Sequence, residues 1–166
     1  MVGRVLQQRG YRVIETDFED RLSVCVDRVS GEKVEELPTQ PYSRAWLHAH
    51  VWCWDRERMG ELLKGVGCSP VFFCGGSDND SEFRDAFLMR FGLSVDGETL
   101  KRRLQPREPE RWVDGSVELE RQIERNGRFV DECAATGRLV IDSSVAPESV
   151  ADAIMAHVLG RTLPGL

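Results

Sequence analysis

Apolar positions along this chain follow two rhythms. Val2, Val5 and Leu6 recur at helical spacing, Gly10 closes the turn, and Tyr11-Arg12-Val13-Ile14 follows as a strand. Ser23 to Val34 holds two short extended stretches around Ser30-Gly31 and reads as a hairpin. The polar stretch from Glu35 to Arg44, with Pro38 and Pro41, reads as a loop. Asp55 to Lys64 is a helix with Met59, Leu62 and Leu63 on one face and Gly65 ending it. Pro70 to Cys74 is continuously apolar, as strands covered on both faces tend to be.

The second half repeats the alternation. A short helix is expected from Glu82 to Met89, then a strand from Phe91 to Val95. Asp96 caps a helix to about Leu104. Arg107 to Gly115 is polar and reads as mobile. Ser116 to Ala135 is a long helix, Arg138 to Asp142 the last core strand, and Pro147 opens a final helix with Val150, Ile154 and Val158 on one face. Strands alternating with amphipathic helices predict an α/β fold, a three-layer α/β/α sandwich around a mainly parallel sheet. In such sheets ligands sit outside the carboxyl ends of the strands.

Composition narrows the class. The 166 residues allow one domain with its own core. Apolar residues make 41% and charged residues 30%, the balance of a globular protein. The net charge of −6 argues against a nucleic-acid partner. No apolar run approaches a membrane span and no signal peptide is visible, so no membrane partner and a cytoplasmic setting are expected. The five cysteines, Cys25, Cys53, Cys68, Cys74 and Cys133, are scattered, as reduced thiols would be.

Candidate chemistry stands at the strand ends. Glu15-Thr16-Asp17 follows the first strand, and strand alternation would point Glu15 and Asp17 to one side. Such carboxylates can hold Mg²⁺ or orient a hydroxyl, or serve as turn and cap acids. Gly75 and Gly76 follow the next core strand and would let backbone approach a ligand, with Asn79 adding a side-chain hydrogen bond; a plain tight turn is the other reading. Lys101, Arg102, Arg103, Arg107 and Arg111 place five basic residues within eleven positions, suited to phosphate or to a solvated helix end. Ser143-Ser144-Val145-Ala146-Pro147 joins the last strand to the last helix and could line a base-binding slot.

Two other constellations carry less. His48, His50 and Cys53 form H-x-H-x-x-C, but no fourth Cys or His lies close in sequence for zinc. Trp46, Trp52 and Trp54 interleave with it and read as packing or a pocket wall. A hydrolase lacks its G-x-S-x-G elbow, and a Rossmann-type domain its G-x-G-x-x-G turn.

The ordered set of pieces resembles P-loop small-molecule kinases of the adenylate kinase and shikimate kinase type, over Val2 to Leu159. VGRVLQQRGYRVIETD is similar to the stretch that follows G-K-[ST] in those proteins. VFFCGGSDN is similar to their next core strand, FGLSVDGETLKRRLQPREPERW to their strand, helix and arginine-bearing lid, and RLVIDSSVAPESVADAIMAHVL to their closing strand, adenine-side loop and last helix. The resemblance implies ATP and Mg²⁺. It places Glu15 near the metal and Asp17 near the acceptor hydroxyl as base or orienter. Gly75 and Gly76 would approach the acceptor, Arg103 and Arg107 would face the phosphates, and Ser143 to Pro147, Ser144 included, would border the adenine.

The chain departs from that family at its front. The phosphate-gripping loop G-x-x-x-x-G-K-[ST] and its strand do not occur in it, and Met1 stands where that loop would end. A truncated reading frame or fragment is the expectation. The domain plan is then a kinase-like domain over 1–166, an acceptor-side insertion over 23–54 and a lid over 104–116. The expected function is an ATP-dependent phosphotransferase acting on a nucleoside, nucleotide or shikimate-like hydroxyl compound, inactive in this form. The alternative is a non-catalytic nucleotide- or metabolite-binding regulatory domain.

Overall fold

A computed structural model describes residues 1–19, 21–39, 42–67, 69–104 and 115–161. The chain divides into two compact units, Leu6–Phe87 and Met1–Val5 with Leu88–Leu166. The first helix, α1 (Val2–Gln8), runs across that boundary, with Val5 and Leu6 both buried.

In the Leu6–Phe87 unit, β1 (Arg12–Glu15) pairs in parallel with β4 (Val71–Cys74), Arg12 opposite Val71 and Glu15 opposite Cys74. A second sheet joins β2 (Ser23–Asp27) antiparallel to β3 (His50–Trp54). The hairpin expected within Ser23 to Val34 is present in short form. The Asp27 carboxylate accepts the Val29 and Ser30 N–H groups at its turn, the Asp27 N–H donates to the Glu32 carbonyl and the Val34 N–H to the Cys25 carbonyl, both at 2.9 Å, and Val26 bridges Lys33. The main partner of β2 is β3, over twenty residues downstream, because a half-buried strand needs a full-length neighbour for its backbone groups.

Two helices flank β3. The short α2 (Arg44–Ala49) is capped by Ser43, whose hydroxyl accepts the Trp46 N–H, and runs straight into β3. The helix α3 (Arg56–Lys64) starts at Asp55, whose carboxylate accepts the Arg58 N–H at 2.9 Å, and ends at Gly65. Its predicted apolar face is the buried one: Met59 and Leu62 join Ile14, Leu22 and Trp54 in one core, with Leu63, Val71, Phe73, Phe83 and Phe87 against it. Burying such side chains stabilises a fold by about 1.5–3 kcal/mol each. The expected Glu82–Met89 helix is instead a 3₁₀ helix over Asp80–Ala86.

In the other unit, β5 (Phe91–Ser94) pairs in parallel with β6 (Leu139–Asp142). The helix α4 (Gly97–Leu104) is capped by Asp96, whose carboxylate accepts the Thr99 N–H at 2.8 Å. The long α5 (Gly115–Ala135) packs on both strands. Gly92 makes this possible, since a Cβ there would run into the Cys133 sulfur and the Phe129 ring. The last helix, α6 (Pro147–Arg161), buries Val150, Ala151, Ile154 and Met155. The lid expected over 104–116, Arg107 included, falls almost wholly outside the described residues. The architecture is mixed α/β, with short parallel and antiparallel sheets and no closed barrel among the described residues. Among the described residues, no helix is long and apolar enough to cross a membrane.

Candidate functional site

The carboxyl ends of β1 and β4 are tied together by Thr16. Its N–H donates to the Cys74 carbonyl at 2.9 Å and its hydroxyl to the same oxygen at 3.3 Å. Thr16 is fully buried, and its hydroxyl fills the space that a Cβ on Gly75 would need. Gly75 has φ +141°, which an L side chain rarely adopts. The Asp17 carboxylate lies 3.4 Å from that same Cβ position, so Asp17 and Gly75 are brought side by side. Gly76 borders open space.

Strand pairing, and not strand alternation, makes this arrangement. The strand ends at Glu15, and the Phe18 and Glu19 N–H groups both donate to the Glu15 carbonyl at 2.9 Å. Asp17 therefore sits in a turn, and the period-two argument that put Glu15 and Asp17 on one side does not extend to it. Both carboxylates are exposed and take part in no hydrogen bond or ion pair among the described residues. Phe18, beside them, is 88% exposed. Thr16 and Phe18 did not stand out in the sequence; the signal for Thr16 is a β-branched residue in the inward position after a strand.

Asn79 has a different place. Its Oδ1 accepts the Trp54 N–H and the Ser77 hydroxyl, both at 2.8 Å, and its Nδ2 donates to the Trp54 carbonyl at 3.0 Å. The Asp78 N–H donates to the Trp52 carbonyl at 2.8 Å. Asn79 thus acts as a strand substitute that fastens the loop after β4 to β3. The indole N–H of Trp54 is buried with no partner among the described residues.

Arg56 and Arg58, on α3, are paired with carboxylates. Arg58 donates to Glu19 at 2.7 Å and to Glu61 at 2.9 Å. Arg56 grips Glu82 with two bonds, at 2.8 and 2.9 Å. Burial, reinforced by the Glu15 carboxylate, pushes the Cys74 thiol up to about 11, which leaves it inert as a nucleophile. Among the described residues, no three His, Cys, Asp or Glu side chains converge as a metal cage. An unpaired Glu15 fits Mg²⁺ only in the manner of nucleotide enzymes, where one or two carboxylates share the ion with water and phosphate oxygens. A shallow depression lined by Gly10, Tyr11, Arg12, Ser69 and Pro70 lies at the opposite ends of the same strands, away from these residues.

In the other unit, the ends of β5 and β6 carry a second cluster. The Ser143 N–H and hydroxyl both donate to the Ser94 carbonyl at 2.7 Å. Asp142 accepts the Ser144 hydroxyl at 2.6 Å and its N–H at 2.8 Å, and these bonds hold its carboxyl below the ordinary range. Arg103 reaches from α4 to donate to the Ser143 carbonyl at 2.9 Å. Two of the expected positions, Arg103 and Ser143, are therefore in direct contact. Pro147 is half-buried at the first turn of α6. Arg107 lies outside the described residues.

The arrangement defines a mixed α/β protein with exposed polar groups at the carboxyl ends of two parallel strand pairs. No protein-family model, no curated protein and no solved structure matches the chain.

Proposed function

We propose that this chain acts as an ATP-dependent phosphotransferase of the P-loop small-molecule kinase type, on a hydroxyl-bearing acceptor, with a phosphate-gripping strand and loop supplied by residues preceding Met1. The observation that carries the reading is the strand pairing. Among the described residues, β4 has β1 as its one strand partner and β5 has β6. A parallel sheet that lacks its central strand leaves two such parallel pairs, with unsatisfied edges where the missing strand belongs. On this reading the whole is a three-layer α/β/α sandwich.

The roles follow from position. Asp17, beside Gly75, orients the acceptor hydroxyl and takes its proton. The acceptor oxygen bonds to the γ-phosphorus of ATP as the bond to the bridging oxygen breaks, and ADP leaves. Arg103 and Arg107 offset the charge of the transferring group, and Ser143, Ser144 and Pro147 border the adenine. Glu15 would hold Mg²⁺ together with water and phosphate oxygens, and the ion would supply neutralisation of phosphate charge. Catalysis of this kind is mostly positioning and electrostatic stabilisation.

The test is the protein lengthened by its upstream codons, titrated with ATP and Mg²⁺ in a calorimeter. Binding below millimolar nucleotide, followed by ADP release with an acceptor, is the expected result. An extended, folded protein that binds no ATP at millimolar concentration would remove the reading. One observation favours a second reading, a non-catalytic metabolite-binding domain: Asn79 and Arg103 both direct hydrogen bonds to backbone carbonyls of their own unit. Binding without turnover in the same experiment would select it.

A further inference from the structure

The last strand, β6, presents an open edge. Among the described residues its one strand partner is β5. The Leu139 N–H donates to the Arg90 carbonyl and the Ser143 N–H to the Ser94 carbonyl, so Leu139 and Ser143 turn their backbone groups toward β5. Backbone direction alternates along a strand, so Val140 and Asp142 turn theirs to the other edge. Arg138 does the same, its N–H donating to the Cys133 carbonyl of α5. Leu139 is 38% and Val140 39% exposed, and no Pro or Lys stands between Arg138 and Asp142 to blunt the edge. An apolar edge of this kind is a template for a further strand.

Charge points to the occupant. A second copy would meet β6 across a two-fold axis, which pairs the strand with itself antiparallel. Residues that turn outward must then face residues that turn outward, which confines the register to Arg138, Val140 and Asp142 against the same set. Centring the axis on Arg138 or on Asp142 sets like charges opposite each other, which is destabilising. Centring it on Leu139 or Ile141 sets Val140 against a charged residue. Centring it on Val140 sets Val140 against itself and Arg138 against Asp142 on both sides of the axis. The signs of the two charges select this register, whatever else Arg138 touches within its own copy.

We propose that β6 pairs antiparallel with β6 of a second copy, centred on Val140, to make a two-fold dimer with a continuous β5–β6–β6–β5 sheet. The Val140 N–H and C=O groups of the two copies bond each other, and the Val140 side chains meet at the axis. Arg138 of each copy faces Asp142 of the other. The Asp142 Oδ1 accepts both Ser144 bonds, which leaves Oδ2 to meet the guanidinium. Nothing in this pairing depends on the kinase reading. So short an edge contact makes a weak dimer, forming at about 0.1–1 mM protein.

Sedimentation equilibrium of the whole chain, with amide hydrogen exchange read by NMR, tests the pairing. The mass is expected to climb toward the dimer with concentration, and exchange at the Val140 and Asp142 amides to slow in step. A monomer at all concentrations up to about 1 mM overturns the proposal. Val140→Lys sets two ammonium groups at the axis and should weaken association roughly tenfold or more with the melting curve kept. Asp142→Arg, facing Arg138 of the second copy, should weaken it roughly tenfold, and adding Arg138→Asp should bring it back to within about threefold. That charge exchange decides the matter even where Val140→Lys fails to fold. Association that these changes leave untouched, or a double variant that stays as weak as Asp142→Arg, overturns the proposal. A dimer lost in the upstream-extended protein gives the edge to the added strand and overturns it equally, whereas ATP binding, or its failure, bears on the kinase reading alone.

Discussion

The hydroxyl of Thr16 occupies the volume that a side chain on Gly75 would require. This one contact locks the ends of two parallel strands in register and sets the Asp17 carboxylate against a backbone that has no side chain to cover it. Replacing Gly75 with Ala should therefore cost about 2–4 kcal/mol, from strain at φ +141° and from the clash. Urea unfolding would read it. Adding Thr16→Ala should return only part of the loss, since it clears the clash but not the backbone strain. Full recovery would show that sterics alone fix this glycine.

Asn79 holds both backbone groups of Trp54. Asn79→Ala leaves a half-buried N–H and carbonyl without partners, and should destabilise by about 1–3 kcal/mol. Asn79→Asp keeps the acceptor for the N–H but loses the donor to the carbonyl, so it should fall between. A wild-type melting curve for Asn79→Ala would refute the clamp.

The same two residues show how much the sequence discloses. The glycine at 75 is legible as a backbone position after an apolar strand, while ligand approach and a plain tight turn both fit the paired glycines. Thr16, which makes Gly75 necessary, is not legible, since its role depends on a strand pair formed across 58 positions. The strands β1, β4, β5 and β6 are readable as apolar runs, and α3, α4 and α6 from period and caps, because those signals are local. The β2–β3 pair is not readable: β3 is rich in aromatic residues without alternation, and its partner is chosen by tertiary contact. The turn at Thr16 to Phe18 likewise ended a strand that alternation would have continued to Asp17.

Acid should loosen the Leu6–Phe87 unit at α3. The Arg58 N–H and then Lys33 hold the Asp55 carboxyl below its ordinary value. The folded state thus binds this proton less readily than the unfolded chain. The stabilisation is complete above the unfolded value of about 3.9 and is lost as pH falls through the lower, folded value. Asp55→Asn, which keeps a capping side chain but cannot ionise, should flatten the stability curve below about pH 4. An unchanged acid limb in chemical denaturation would assign the effect to other carboxylates, among them Asp27, Asp96 and Asp142, whose values are also lowered.

Asp17 separates chemistry from architecture. Its carboxylate has no hydrogen-bond or ion-pair partner among the described residues, so Asp17→Asn should leave the melting temperature within experimental error. In the upstream-extended protein the same change should lower kcat about 10²–10⁴-fold, the range for loss of a proton-accepting group. KM for ATP should hold, since the role proposed for Asp17 is toward the acceptor. Unchanged turnover would take Asp17 out of the mechanism and leave its contact with Gly75 as a feature of the turn alone.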